Sequence, residues 1–80
     1  MKWRKTVNIR PILDKDEDTD ESAVNISREL AEFLSSQVSD EPGIQPIITA
    51  LNKVRTQRGA NKVVERLYDW ADDHRIWLGI

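Results

Sequence analysis

The alternation of apolar and polar residues near the N-terminus predicts a half-buried strand. From Trp3 to Arg10 the pattern has a period of two, and Lys5 alone breaks the apolar face. The strand is expected to end at Pro11, which has no N–H group to donate to a ladder. The apolar face carries Trp3, Val7 and Ile9, and the polar face carries Arg4, Thr6, Asn8 and Arg10.

Three later segments carry apolar residues at helical spacing, and each has turn residues at its ends. Their apolar faces begin at Ile26, at Ile47 and at Val63, and the third face includes Tyr68 and Trp70. The first helix is predicted to start between Ser22 and Asn25 and to stop at 39–43. The second is predicted from near Gln45 to Gly59, and the third from about Asn61 to about Asp73.

The C-terminal stretch 75–80 is apolar on both sides, so it can either prolong the third helix or form a short strand, and we favour the strand. A strand at the N-terminus needs a partner for its backbone groups, and no other segment has comparable β propensity. We therefore predict an α+β fold with an N-terminal strand, three helices and a C-terminal strand. The two strands form a small sheet packed on the helices, which can gain strands from a second copy.

The length of 80 residues predicts one domain over 1–80 with a thin core. Hydrophobic residues make up 39% of the chain and charged residues 32%, which is typical of a globular domain. The chain has no cysteine and no apolar run of signal-peptide or membrane-span length. We therefore expect a cytoplasmic protein that is stabilised by packing and has no membrane partner.

The charges are strongly segregated although the net charge is only −2. Residues 1–13 carry +4, residues 14–41 carry ten acids against two bases, and residues 42–66 carry five bases against one acid. Segment 14–21 has six acids in eight positions and is predicted to be a solvated loop. Its Asp16, Asp18 and Asp20 are candidate residues for docking a basic partner protein.

Three tests for chemistry fail in the sequence. The alternating aspartates of 14–20 resemble the start of a calcium loop, but its sixth position is Thr19 and its twelfth is Asn25. The only histidine, His74, has no serine placed by a nucleophile-elbow motif, and a histidine at a helix end usually contacts the terminal carbonyls. No glycine-rich phosphate loop is present. We predict a non-enzymatic protein with no cofactor and no metal site.

Two residue groups remain as binding candidates. Trp70 and Trp77 lie in apolar runs and are expected in the core, whereas an exposed Trp3 would suit an interface anchor. The basic stretch 53–62 contains Arg55, Arg58 and Lys62. The favourable interaction of cations with the free carbonyls at a helix C-terminus explains these residues. The alternative is that the stretch forms a phosphate-binding corner.

The segment 4–11, with the helix, the Pro-Gly break and the second helix after it, resembles ribbon-helix-helix DNA-binding proteins. The resemblance implies that strands from two chains pair and that Thr6, Asn8 and Arg10 face base edges. It covers residues 4 to about 57. The acidic segment 14–21 and the third helix depart from the family pattern.

The ending 68–78 is similar to that of short phage and prophage proteins, which implies a genetic context. The leading hypothesis is a phage-type interaction module that binds another protein. The alternative is a dimeric DNA-binding regulator that uses strand 4–10 and the basic residues of 53–62. A homodimer is compatible with both.

Overall fold

The computed structural model describes residues 3–79, which form an α+β fold. Three helices of nine residues or more, a single-turn helix and a two-stranded sheet make up the part of the chain described. The elements in chain order are β1 (Lys5–Thr6), α1 (Arg10–Leu13), α2 (Asp20–Gln37), α3 (Ile44–Asn52), α4 (Gln57–Asp73) and β2 (Ile76–Trp77). The predicted fold class is confirmed.

The two strands pair in parallel, with Lys5 opposite Ile76 and Thr6 opposite Trp77. Backbone hydrogen bonds continue the pairing on both sides, from Arg4 N to Arg75 O (2.6 Å) and from Ile9 N to Leu78 O (3.1 Å). Parallel strands need a long crossover connection. Here all four helices lie between the strands, and the sheet packs on α4.

The prediction that the N-terminal strand reaches Arg10 is wrong, because β1 ends at Thr6 and Arg10 is the first residue of α1. Pro11 lies in the first turn of α1, where its missing N–H costs nothing, and the Asn8 side chain accepts the Arg10 N–H (3.1 Å). Lys5, which breaks the apolar face, donates from Nζ to the Gln37 carbonyl (2.8 Å). That carbonyl is at the C-terminal end of α2, where a cation is favourable.

The first long helix begins earlier than predicted. α2 starts at Asp20, because the Thr19 side chain accepts the Ser22 N–H (3.0 Å) and caps it. The predicted loop 14–21 therefore ends at Thr19. Asp20 and Glu21 occupy the first turn of α2, where their charge is favourable.

The predicted boundary at Gly59 is also wrong. α3 starts within one residue of the prediction but ends at Asn52, and α4 begins at Gln57. Thr56 caps α4 by accepting the Gly59 N–H (3.0 Å), so Gly59 lies in the first turn of this helix. Burial of Val54 in the connection fixes this path. The end of α4 at Asp73 is confirmed.

The core is mainly aliphatic. α2, α3 and α4 pack on one another, and α1 packs on α2. Trp70 is buried as predicted, but Trp77 is 38% exposed and Tyr68 is 36% exposed, so their expected burial is wrong. The largest fully buried apolar side chains are Ile9, Leu30, Leu34, Val38, Ile44, Leu51, Leu67 and Ile76.

Candidate functional site

Three exposed aromatic side chains meet where the sheet packs on the C-terminal part of α4. Trp3 precedes β1, Trp77 lies in β2 and Tyr68 lies on α4; we call these three residues the aromatic patch. The Trp3 and Trp77 rings have centroids 5.4 Å apart and planes tilted by 49°. The patch lines a groove of about 120 Å³ together with Asp72 and apolar residues of α4 and β2.

A polar network behind the patch fixes the N-terminal segment. The Arg4 guanidinium makes two hydrogen bonds to the Glu41 carboxylate (2.5 and 3.1 Å), and its Nε donates to the His74 carbonyl (3.3 Å). The hydrogen bond from Arg4 is the main reason that the pKa of Glu41 lies below its ordinary value. Arg4 therefore connects β1 both to the end of α4 and to the α2–α3 connection.

His74 and Trp70 complete this network. The indole Nε1 of Trp70 donates to the Pro42 carbonyl (2.8 Å). The Trp70 indole and the His74 imidazole stack with centroids 4.8 Å apart. His74 Nδ1 lies 2.8 Å from the Trp70 carbonyl. The expectation that His74 contacts terminal carbonyls of its helix is confirmed.

Burial raises the pKa of the Tyr68 hydroxyl above its ordinary value.

The candidate acids of 14–21 mainly make contacts within the chain. The Asp16 carboxylate accepts hydrogen bonds from Gln57 Nε2 (2.9 Å) and from the Asp18 N–H (3.0 Å). The bond from Gln57 is the main reason that the pKa of Asp16 is lowered. Asp20 accepts the Gln57 N–H (2.9 Å), so this acidic segment satisfies the N-terminal end of α4.

The aspartates and Trp3 do not form one site. Asp16 and Asp20 contact the first residue of α4, whereas Trp3 lies beside Tyr68 and Asp72 in its last turns. A helix of this length spans about 25 Å at 1.5 Å per residue. The predicted protein-binding residues are therefore at opposite ends of α4.

The candidate base-reading residues are engaged to different degrees. Thr6 is exposed, but the side-chain oxygen Oδ1 of Asn8 accepts the Arg10 N–H. The Arg10 Nε lies 3.8 Å from an Asp14 carboxylate oxygen. Pairing with β2 in the same chain occupies one edge of the strand that a dimeric ribbon would need.

The basic stretch 53–62 is divided between two elements. Lys53 is the C-terminal cap of α3, where a cation is favourable, but Arg58 and Lys62 lie in the first two turns of α4. Stabilisation of a helix C-terminus therefore does not explain the positive charge at Arg58 and Lys62. Arg55 lines a groove with Arg28 of α2, which the sequence did not single out because it is 27 positions away along the chain.

No known protein family, curated protein or solved structure matches this chain. Within residues 3–79, no helix combines the length and the apolar character needed to span a bilayer. The same residues contain no group of three or more histidine, aspartate or glutamate side chains arranged to hold a metal ion.

Proposed function

We propose that this chain is a small, cytoplasmic, non-enzymatic interaction module that binds another protein through the aromatic patch. The observation that carries the proposal is the pair of tryptophans, Trp3 and Trp77, held 5.4 Å apart at the surface and each 38% exposed. Tryptophan and tyrosine dominate the binding energy of many protein interfaces.

The placement of these side chains leaves part of their apolar surface exposed to water in the isolated molecule. Burying a large apolar side chain stabilises a fold by about 1.5–3 kcal/mol, and a chain of this size has few such side chains to use. Among the described residues, the three exposed large apolar side chains are the three members of the aromatic patch. A contiguous exposed apolar surface is typical of an interaction site.

The charges around the patch favour a basic partner segment. Asp72 lines the groove, and Asp69 and Asp73 are exposed on the same part of α4. None of these three carboxylates forms an ion pair within residues 3–79. Among the described residues, Arg4 is paired with Glu41, and Arg75, which directly precedes β2, carries an opposing charge. The matching ligand is a segment with an apolar anchor beside lysine or arginine, whose cation can also lie over an indole face.

A peptide-display selection against the immobilised full chain tests this proposal. Recovered peptides are expected to combine an aromatic or aliphatic anchor with basic residues. Trp77→Ala should weaken their binding at least about tenfold, because an aromatic hot spot contributes about 2 kcal/mol or more. The matched control is Thr49→Ala, which truncates an exposed residue of α3 and should leave affinity unchanged.

A second pair of variants tests the charge of the site. Asp72→Asn should weaken binding, whereas Glu32→Gln, on the exposed side of α2, should not. Acidic peptides, or binding that survives Trp77→Ala, would overturn the proposal. Self-association that disappears in Trp77→Ala would overturn it too, because the patch would then bind a second copy.

A DNA-binding regulator remains the alternative proposal. It requires duplex binding that weakens steeply with salt and depends on Arg10. Electrophoretic mobility shifts with wild type and Arg10→Ala test it directly. A complete lack of duplex binding at low salt would eliminate it.

A further inference from the structure

A basic groove lies between α2 and the connection from α3 to α4. It is open to solvent and has a volume of about 740 Å³, and its cations are Arg28 of α2, Lys53 at the end of α3 and Arg55 of the connection. The remaining lining residues are Val24, Asn52 and Val54. Three separate parts of the fold therefore direct positive charge to one concave surface.

These three cations have no protein partner within residues 3–79. The ion pairs of this part of the chain involve other residues, and no side-chain hydrogen bond comes from Arg28, Lys53 or Arg55. No carboxylate lines the basic groove, whereas Glu32 lines the adjoining groove on the other side of Arg28. Within the groove itself, therefore, no ion pair or side-chain hydrogen bond with a described residue offsets the three positive charges.

Helix capping does not account for this arrangement. A cation at the end of α3 is favourable, which explains Lys53. Arg28 belongs to the middle of α2, and Arg55 lies outside the helices. The N-terminal end of α4 takes acceptors, which Thr56 and Asp20 supply, so a cation near it gains nothing from the helix.

We infer that the basic groove binds a small phosphate-bearing anion. Arginine and lysine make strong charge-assisted hydrogen bonds to phosphate oxygens, and the volume is in the range of small-molecule sites. An extended nucleic acid fits less well, because Glu32 lies beyond one side of the groove and Asp16 and Asp20 contact Gln57, two residues after Arg55. These acids would repel a polyanion that continued past the groove.

Titration with inorganic pyrophosphate, followed by amide chemical shifts of the full chain at constant ionic strength, tests the inference. Saturable shifts are expected around Arg28, Lys53 and Arg55, with a dissociation constant on the order of 1 mM or tighter. Lys53→Gln/Arg55→Gln should weaken binding about tenfold or more, because charge-assisted hydrogen bonds are lost.

Lys62→Gln/Arg66→Gln is the matched control, because it removes the same charge from exposed positions of α4 that do not line the groove. It should bind pyrophosphate like wild type. Without ligand the groove variant should unfold close to the wild-type temperature, because relief of repulsion among the cations and loss of the Lys53 charge at the end of α3 act in opposite directions.

Several outcomes would overturn the inference. These are shifts that do not saturate, equal shifts with matched sodium chloride, or equal weakening in both double variants. Tight binding of a DNA or RNA duplex without binding of pyrophosphate would assign the groove to nucleic acid. Loss of folding in the groove variant, measured by circular dichroism, would show that these cations have a structural role.

Discussion

Replacing Gly43 by alanine provides a sharp test of the α2–α3 connection. Gly43 has φ +84°, which L-residues rarely adopt, and an added Cβ would lie 3.1 Å from Trp70 Nε1 and 3.3 Å from Trp70 Cδ1. The left-handed backbone costs a non-glycine residue about 1–2 kcal/mol. Displacing the indole weakens its hydrogen bond to the Pro42 carbonyl, worth about 0.5–1.5 kcal/mol. We expect Gly43→Ala to lower the free energy of unfolding by about 2 kcal/mol.

Gly59→Ala is the matched control, and it also tests where α4 begins. Gly59 is helical, and its added Cβ would lie 3.3 Å from the Thr56 hydroxyl that caps the helix. Alanine favours a helix over glycine by about 1 kcal/mol, and accommodating the contact offsets part of this gain. We expect Gly59→Ala to be more stable than wild type by roughly 0.5 kcal/mol.

Urea unfolding followed by circular dichroism measures both differences. For a chain of this size, 1 kcal/mol shifts the melting temperature by about 4–8 °C, so thermal unfolding gives an independent measure. Wild-type stability in Gly43→Ala would refute the left-handed turn beside Trp70. A loss of more than about 1 kcal/mol in Gly59→Ala would support the sequence-predicted helix end at Gly59 instead.

Two further predictions concern the aromatic patch and the network behind it. In urea unfolding, Trp77→Ala should lower the free energy of unfolding by about 1–2 kcal/mol and Trp70→Ala by about 3–5 kcal/mol, because only Trp70 is buried. Equal losses in the two variants would contradict an exposed Trp77. The pKa of Glu41 is lowered in the folded chain, mainly by the hydrogen bond from Arg4, so its contribution is present above the unfolded pKa of about 4.3 and is lost as pH falls from there through the lower folded pKa. Unfolding free energies measured between about pH 6 and pH 3 should fall less steeply in Glu41→Gln than in wild type, and parallel profiles would count against the Arg4–Glu41 contact.

The charge segregation illustrates the limit of sequence reasoning about the candidate site. The sequence indicates an acidic segment at 14–21, predicted to be a solvated loop that docks a partner. It also indicates a basic stretch at 53–62, which a helix end explains and for which phosphate binding is the alternative. In the structure Asp16 and Asp20 contact Gln57 at the start of α4, and Arg4 contacts the His74 carbonyl at its end. Opposite charges are thus arranged partly for the fold itself, and this depends on which elements meet.

Helix boundaries show the same limit. Both Gly59 and Thr56 carry local signals, since glycine often ends a helix and threonine often caps one. The helix α4 starts after Thr56 because burial of Val54 and the contacts of Gln57 with Asp16 and Asp20 fix the path of the connection. None of these contacts is local in sequence.

Residue patterning is enough to predict three long helices, the pairing of the N-terminal and C-terminal strands, and the burial of Trp70. These features follow from spacing among neighbouring residues and from the need to satisfy backbone groups. Three other features emerge only in the folded molecule: the sheet is parallel, Trp3 and Trp77 meet at the surface, and Arg28 joins Arg55 in one groove. Each of these depends on packing between segments far apart in the chain, and a pattern of neighbours carries no information about which distant surfaces will meet.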